Sequence, residues 1–174
     1  KLIHQPDELI NGDRKAGLAI GMFDGVHLGH QQVLRQAIED SHRHEARSVA
    51  VTFDRHPASV IAPGRAPALL QTRAQRLRAI ESLGIDAALL IKFDKAFSRK
   101  SGAEFVRELA DGFGAIHSIC VGVNFAFGHK RDGNVELLCT LGQALGFHVH
   151  GLQAVSLDDQ AVSSTRIRAA VRDG

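Results

Sequence analysis

Cysteine is scarce: two in 174 residues, Cys120 and Cys139. Their spacing fits neither a disulfide framework nor a metal site, so both are expected as reduced, mostly buried thiols of a cytoplasmic protein. No apolar run approaches the ~18 residues of a membrane helix, and no secretory leader is evident, which argues against membrane spanning and secretion. The chain opens on Lys1 and not on Met, as a trimmed or partial chain would. Charge of one sign is missing too. Lys and Arg total 21 against 19 Asp and Glu, interleaved, for a net charge of +2. A nucleic-acid surface would show a basic stripe instead. There is no internal repeat and no low-complexity tract. With 44% apolar and 23% charged residues, the composition is that of a globular protein. Its length fits one domain, 1–174, with a real core.

Strand-like and helix-like segments alternate. Strands are expected over 16–23, 47–53, 86–93, 116–122 and 147–152, and helices over 29–44, 72–83, 101–112, 134–145 and 163–172. Thr72 with Gln75, and Ser101 with Glu104, read as capping boxes. Gly84 and Gly146 read as helix stops. Five apolar strands with helices between them predict an α/β fold: a Rossmann-like, open, five-stranded parallel sheet covered on both faces. Ligands bind such sheets beyond the carboxyl ends of the strands. Two loops fall there, 54–70 and 124–134. The first carries three of the four prolines (Pro57, Pro63, Pro67) and is long enough to be a candidate lid.

Four segments carry chemistry. The first is Gly21-Met22-Phe23-Asp24-Gly25-Val26-His27-Leu28-Gly29-His30. A strand ends in a glycine-rich turn that delivers two histidines, three apart, to a helix start. Unpaired N–H groups and a partial positive charge make a helix N-terminus an anion receiver, and glycine allows close approach. Two imidazoles add donors that common phosphate loops lack. Zinc is disfavoured here, because no Cys or carboxylate cluster completes the pair. The second segment is Ser163-Ser164-Thr165-Arg166-Ile167-Arg168, where hydroxyls open a helix and Arg168 follows about one turn on. Capping and a solvated basic face would explain it alone; paired with the first, it suits a polyphosphate leaving group. The third is Gly122-Val123-Asn124-Phe125-Ala126-Phe127-Gly128. Here Phe125 or Phe127 plugs the core, or one shapes an aromatic pocket while Asn124 places a polar substrate group. His129, Lys130 and Arg131 then form a solvated loop or meet a phosphate. The fourth is Thr52-Phe53-Asp54-Arg55-His56-Pro57, with His56 ordering the loop or touching substrate. His148 and His150 share a strand face without partners and read as structural. His42 and His44 read as surface residues at a helix end.

Together these segments resemble the adenylyltransferase module of bacterial FAD synthetases, the flavin-adenylating half of the bifunctional riboflavin kinase/FMN adenylyltransferase family. The likeness runs from about Gly17 to Gly174. Gly-x-Phe-Asp-Gly-x-His-x-Gly-His is the mark of the wider nucleotidyltransferase superfamily; the other three segments narrow it to the flavin branch. There are two departures: Asp54-Arg55-His56-Pro57 stands where Glu-Pro-His-Pro is usual, and Asn124 where Asp is common. Losing the first proline implies a more mobile loop. A riboflavin kinase module normally follows in the family, and these residues are credited with no kinase activity.

The resemblance implies ATP and FMN as substrates, with FAD and pyrophosphate as products. Mg²⁺ would arrive with ATP, and no protein metal ligands are assigned. His27, His30 and Arg168 are implied as catalytic. Gly21, Phe23, Asp24, Gly25, Gly29, Ser163, Ser164 and Thr165 are implied for ATP, and Phe53, His56, Asn124, Phe125 and Phe127 for flavin. Arg166 should point elsewhere on its helix. Small molecules are the implied partners, with no nucleic acid and no membrane. Rival readings are an adenylyl- or cytidylyltransferase for another small phosphate acceptor, and a non-catalytic flavin- or nucleotide-binding module. An RNA-linked role through His-x-Gly-His is weaker, since no Lys-Met-Ser-Lys-type segment is present.

Overall fold

The structure is a computed structural model that describes residues 1–9, 14–157 and 160–174. Its centre is a six-stranded, all-parallel sheet. The strands are β1 (Leu2–Ile3), β2 (Ala16–Ile20), β3 (Arg47–Phe53), β4 (Ala87–Ile91), β5 (Ile116–Gly122) and β6 (His148–Leu152), in the order β1-β4-β3-β2-β5-β6. The five strands expected are all present. A sixth, the two-residue edge strand β1, adds to them; it is too short to show a pattern. The first expected strand is also shorter: β2 stops at Ile20, because positions 21–27 form the turn.

Alternation along the strands sorts residues by size onto two faces. Leu18, Ile20, Val49, Val51, Ile119 and Val121 join one buried cluster, with Phe105 and Val106 of α4 (Gly102–Phe113) and Leu138 and Leu141 of α5 (Val135–Leu145). Ala19, Ala50 and Cys120 face the other way. They meet Val33, Leu34 and Ala37 of α1 (Leu28–Arg43) and Ile80 of α3 (Arg73–Glu81). Small residues on that face let α1 lie close to the sheet. Gly17 shows how close: a Cβ there would come within 2.1 Å of the Ser41 hydroxyl. Helices therefore cover both faces, as the continuous apolar strands require.

Local signals set the helix ends. Both capping boxes form, Thr72 with Gln75 on α3 and Ser101 with Glu104 on α4. Gly146 closes α5 in the left-handed region. Segment 54–70 is not bare loop: it holds the short helix α2 (Ala58–Ile61) and a 3₁₀ turn. A two-stranded ribbon, β7 (Ser156–Leu157) with β8 (Gln160–Ala161), precedes the final helix α6 (Ser164–Asp173). Arg166 donates to the carbonyls of Leu157 and Gln160 in that ribbon.

The histidines at the opposite edge depart from expectation. His150 is not unpartnered, since its Nε2 lies 3.7 Å from Asp40 Oδ2. His148 packs edge-on to His117. His44 is exposed, yet its ring stacks on His117. No described helix is long and apolar enough to cross a membrane.

The chain runs β2-β3-β4 in one direction, then returns to place β5 on the other side of β2. That reversal puts the topological switch point at β2, whose carboxyl end is the favoured ligand position in such sheets.

Candidate active site

The turn after β2 is wound tightly. Phe23, Val26 and Gly25 all have positive φ (52°, 37° and 84°). Gly25 has a steric reason as well, since a Cβ there would lie 2.7 Å from Leu70. The turn feeds straight into α1 with His27 as its N-cap. His27 Nδ1 accepts from the His30 backbone N–H at 3.4 Å, so the ring proton sits on Nε2. The His27 and His30 rings stack, with centroids 3.6 Å apart, and Phe23 meets His30 edge-on. Burial holds both imidazoles below their ordinary pKa, His30 down to about 3. Both rings are therefore neutral at pH 7, and each offers one N–H donor. His30 Nδ1 is buried with no hydrogen-bond partner among the described residues.

Asp24 is almost fully buried, and its carboxylate accepts three kinds of donor. Leu70 N–H lies at 3.0 and 3.1 Å, Gln71 N–H at 3.2 Å, and Arg168 Nη2 at 2.6 Å. Ser164 Oγ donates to the Asp24 backbone carbonyl at 2.9 Å. The two motifs at opposite ends of the chain thus meet on one residue. Ser163 caps α6, its Oγ accepting from Arg166 N–H. Thr165 is exposed on the first turn of α6. Arg168 also donates from Nε to the Ala68 carbonyl at 2.7 Å. The far end of segment 54–70 is therefore tied down onto the turn.

Gly29 sits beside the histidine turn with ordinary clearance. A Cβ placed there would meet only the His27 ring at 3.4 Å and the Val162 carbonyl at 3.9 Å. These are ordinary van der Waals distances, so packing among the described residues does not require glycine there. The position lies between the histidine turn and the residue leading into Ser163, at the N-terminus of α1.

His56 belongs to this centre. Its Nδ1 accepts from Ala58 N–H, and it feels Arg168, Asp24 and Arg76, although burial is the main cause of its lowered pKa. Two expected flavin contacts do not belong to it. Phe53 is buried in a cluster with Phe93, Phe97 and Phe105. Phe127 is wedged against Phe105 and between Gly102 and Gly133, where a Cβ would come within 2.7–3.1 Å of its ring. Both are core residues, because a strand-end aromatic with apolar helices beneath it gains more from burial than from a rim position. Phe125 is half-buried and stacks on Phe127, and Asn124 is exposed past β5. His129, Lys130 and Arg131 are exposed, and the His129 ring bonds the Ser98 carbonyl.

Sequence reasoning missed Arg76. It is 2% exposed and donates to the carbonyls of Met22 (3.2 Å) and Phe53. Thr52 Oγ1 donates to the same Met22 carbonyl at 3.1 Å. Arg76 thus clamps the carboxyl ends of β2 and β3 beneath the turn. Only its place on the buried face of α3 could have signalled this.

The comparisons point one way. The family profile described as FAD synthetase matches residues 10–166. A Haemophilus influenzae protein named bifunctional riboflavin kinase/FMN adenylyltransferase is 30% identical over 97% of this chain and 54% of its own length. The Escherichia coli K12 protein of that name is 31% identical over 90% of this chain and 50% of its own length. A Geobacillus thermodenitrificans protein provisionally given the name is 38% identical over 90% of this chain and 83% of its own length. The chain spans about half the length of the first two. A crystal structure described as a macrolide-efflux protein from Streptococcus pneumoniae matches with TM-score 0.81 at 24% identity, covering 99% of this chain and 57% of that one. At that identity it shows a shared fold and nothing more.

Proposed function

Because this chain belongs to the FAD synthetase family, we propose that it transfers AMP from ATP to FMN, giving FAD and pyrophosphate. A phosphate oxygen of FMN attacks the α-phosphorus of ATP, and the bond to the departing pyrophosphate breaks in line. FMN supplies its own anionic nucleophile, so the protein needs no general base. Positioning and charge stabilisation are its task. The single observation that carries this reading is the meeting of the two motifs on Asp24, beside Gly29 at the N-terminus of α1.

The triphosphate lies over the N-terminus of α1, where free N–H groups and the helix dipole receive it. His27 donates from Nε2, and His30 from its own ring N–H, to oxygens whose charge grows in the transition state. Their neutrality keeps them as donors without a titration near pH 7. Ser163, Ser164 and Thr165 hold the β- and γ-phosphates. Arg168 commits Nε and Nη2 to the Ala68 carbonyl and Asp24, which leaves Nη1 for the leaving pyrophosphate. Asp24 acts by organising this group, not by touching ATP. The flavin side falls to His56, Asn124 and Phe125.

Both Asp24 oxygens are taken by protein donors, so the carboxylate nearest the phosphates is not free to cage an ion. That fits Mg²⁺ carried in on phosphate oxygens, where it neutralises charge when bound.

The test is to give the chain ATP and Mg²⁺ with FMN, phosphopantetheine, nicotinamide mononucleotide or riboflavin in turn. Pyrophosphate release should require FMN and be matched by FAD on chromatography. Release with another acceptor and not with FMN would overturn the assignment, as would binding of ATP and FMN without product.

A further inference from the structure

Asp40 and His44 stand one turn apart at the C-terminal end of α1. That end is about 18 Å along the helix from the phosphate-facing turn at Leu28, at 1.5 Å per residue. His117 faces them from the start of β5. One carboxylate oxygen and one nitrogen from each of these two imidazoles lie within 4.8 Å of one another. Asp40 Oδ2 is 3.4 Å from His117 Nε2, and Oδ1 is 3.5 Å from His44 Nδ1, which also lies 2.9 Å from the Asp40 backbone carbonyl and would exchange that hydrogen bond for the metal. At zinc–ligand distances of about 2.0–2.2 Å, tetrahedral donors stand roughly 3.3–3.6 Å apart. We infer that Asp40, His44 and His117 form a binding site for a divalent transition-metal ion, zinc by its chemistry, remote from the phosphate-facing turn.

Charge is the second argument. Asp40 is 5% exposed. The imidazoles of His117, His150 and His44 lie around its carboxylate. Its ion-pairing partners among the described residues are these three imidazoles, with no Lys or Arg. No such fixed cation pairs with this buried carboxylate, and a dication would.

The surroundings suit such a site. Ser118 donates to Asp40 Oδ2 and fixes the carboxylate, the kind of outer support that ligating groups receive. His150 approaches the same oxygen at 3.7 Å from β6. His44 is exposed at the helix end, which gives an ion a path in and leaves a coordination position for water. Two imidazoles and one carboxylate with an open position suit zinc and its neighbours, not Mg²⁺ or Ca²⁺, which prefer oxygen. Cys120 is not among the side chains whose ligand atoms converge there. Bound metal would pin the end of α1 to β5.

The test uses the untagged, chelator-stripped chain without ATP. Zn²⁺ is titrated by calorimetry, and Co²⁺ is followed by its visible absorption. Wild type should bind one ion per chain, with a raised thermal midpoint. His44→Ala is exposed and keeps the fold; it and His117→Ala should each weaken Zn²⁺ at least about tenfold. His42→Ala should bind as wild type does. Absence of stoichiometric binding to wild type would overturn the site, and so would affinity surviving both His44→Ala and His117→Ala. FAD formation plays no part in the readout, so the result stands apart from the proposed activity.

Discussion

Arg168 reaches across 144 residues of sequence to place Nη2 2.6 Å from Asp24 Oδ2, in a pair that is largely buried on both sides. The same carboxylate holds the backbone of Leu70 and Gln71, so one side chain ties the histidine turn, the last helix and segment 54–70 together. Asp24→Ala leaves the guanidinium partly buried without its partner, together with two N–H groups. The expected loss is about 3–5 kcal/mol of unfolding free energy, read by urea denaturation. A loss below about 1 kcal/mol would mean that the pair behaves as a surface ion pair.

Gly29→Ala separates ligand space from packing. The new Cβ meets only ordinary contacts, and alanine favours a helix over glycine by up to about 1 kcal/mol. Thermal stability should hold or rise while ATP affinity falls about tenfold or more, measured by calorimetric titration. Unchanged ATP affinity would place the triphosphate elsewhere.

His30→Ala removes one donor and a ring whose Nδ1 is buried with no hydrogen-bond partner among the described residues. Turnover should fall about 10²–10³-fold, the usual effect of losing such a donor, with little change in thermal midpoint. Near-normal turnover in steady-state assays would take His30 out of the catalytic set.

Acid sensitivity should follow the same ring. The His30 pKa is driven from 6.5 to about 3, mainly by burial, and that of His27 is lowered too. Below about pH 6.5 the unfolded chain binds protons that the folded rings refuse. The stability tied to neutral imidazoles is thus complete above pH 6.5 and is lost as pH falls toward about 3. Urea denaturation between pH 7 and pH 4 should show a shallower loss in His30→Ala than in wild type. Parallel losses would contradict the assigned burial.

Much of this was legible beforehand because the signals are local. A parallel sheet buried on both faces writes continuous apolar strands, and capping boxes such as Thr72 with Gln75 need only side chains three residues apart. The histidine turn was legible for the same reason. Where the answer depended on what lay beneath a residue, sequence failed. Phe127 read equally as pocket wall or core and Phe53 as a flavin contact, and the phenylalanines around them place both in the core. Arg76 sat on an ordinary helix pattern, and its partners are carbonyls 54 and 23 positions away. The Asp40 cluster joins α1, β5 and β6, so neither the Asp40–His44 spacing nor the His148–His150 spacing revealed it alone.

The most direct measurement of the central claim follows labelled phosphate from ATP in the presence of FMN and Mg²⁺. The account predicts that label in the α-position enters FAD and label in the γ-position leaves in pyrophosphate. Label from the γ-position on a flavin product, or no flavin labelled from either position while ATP is bound, would contradict it.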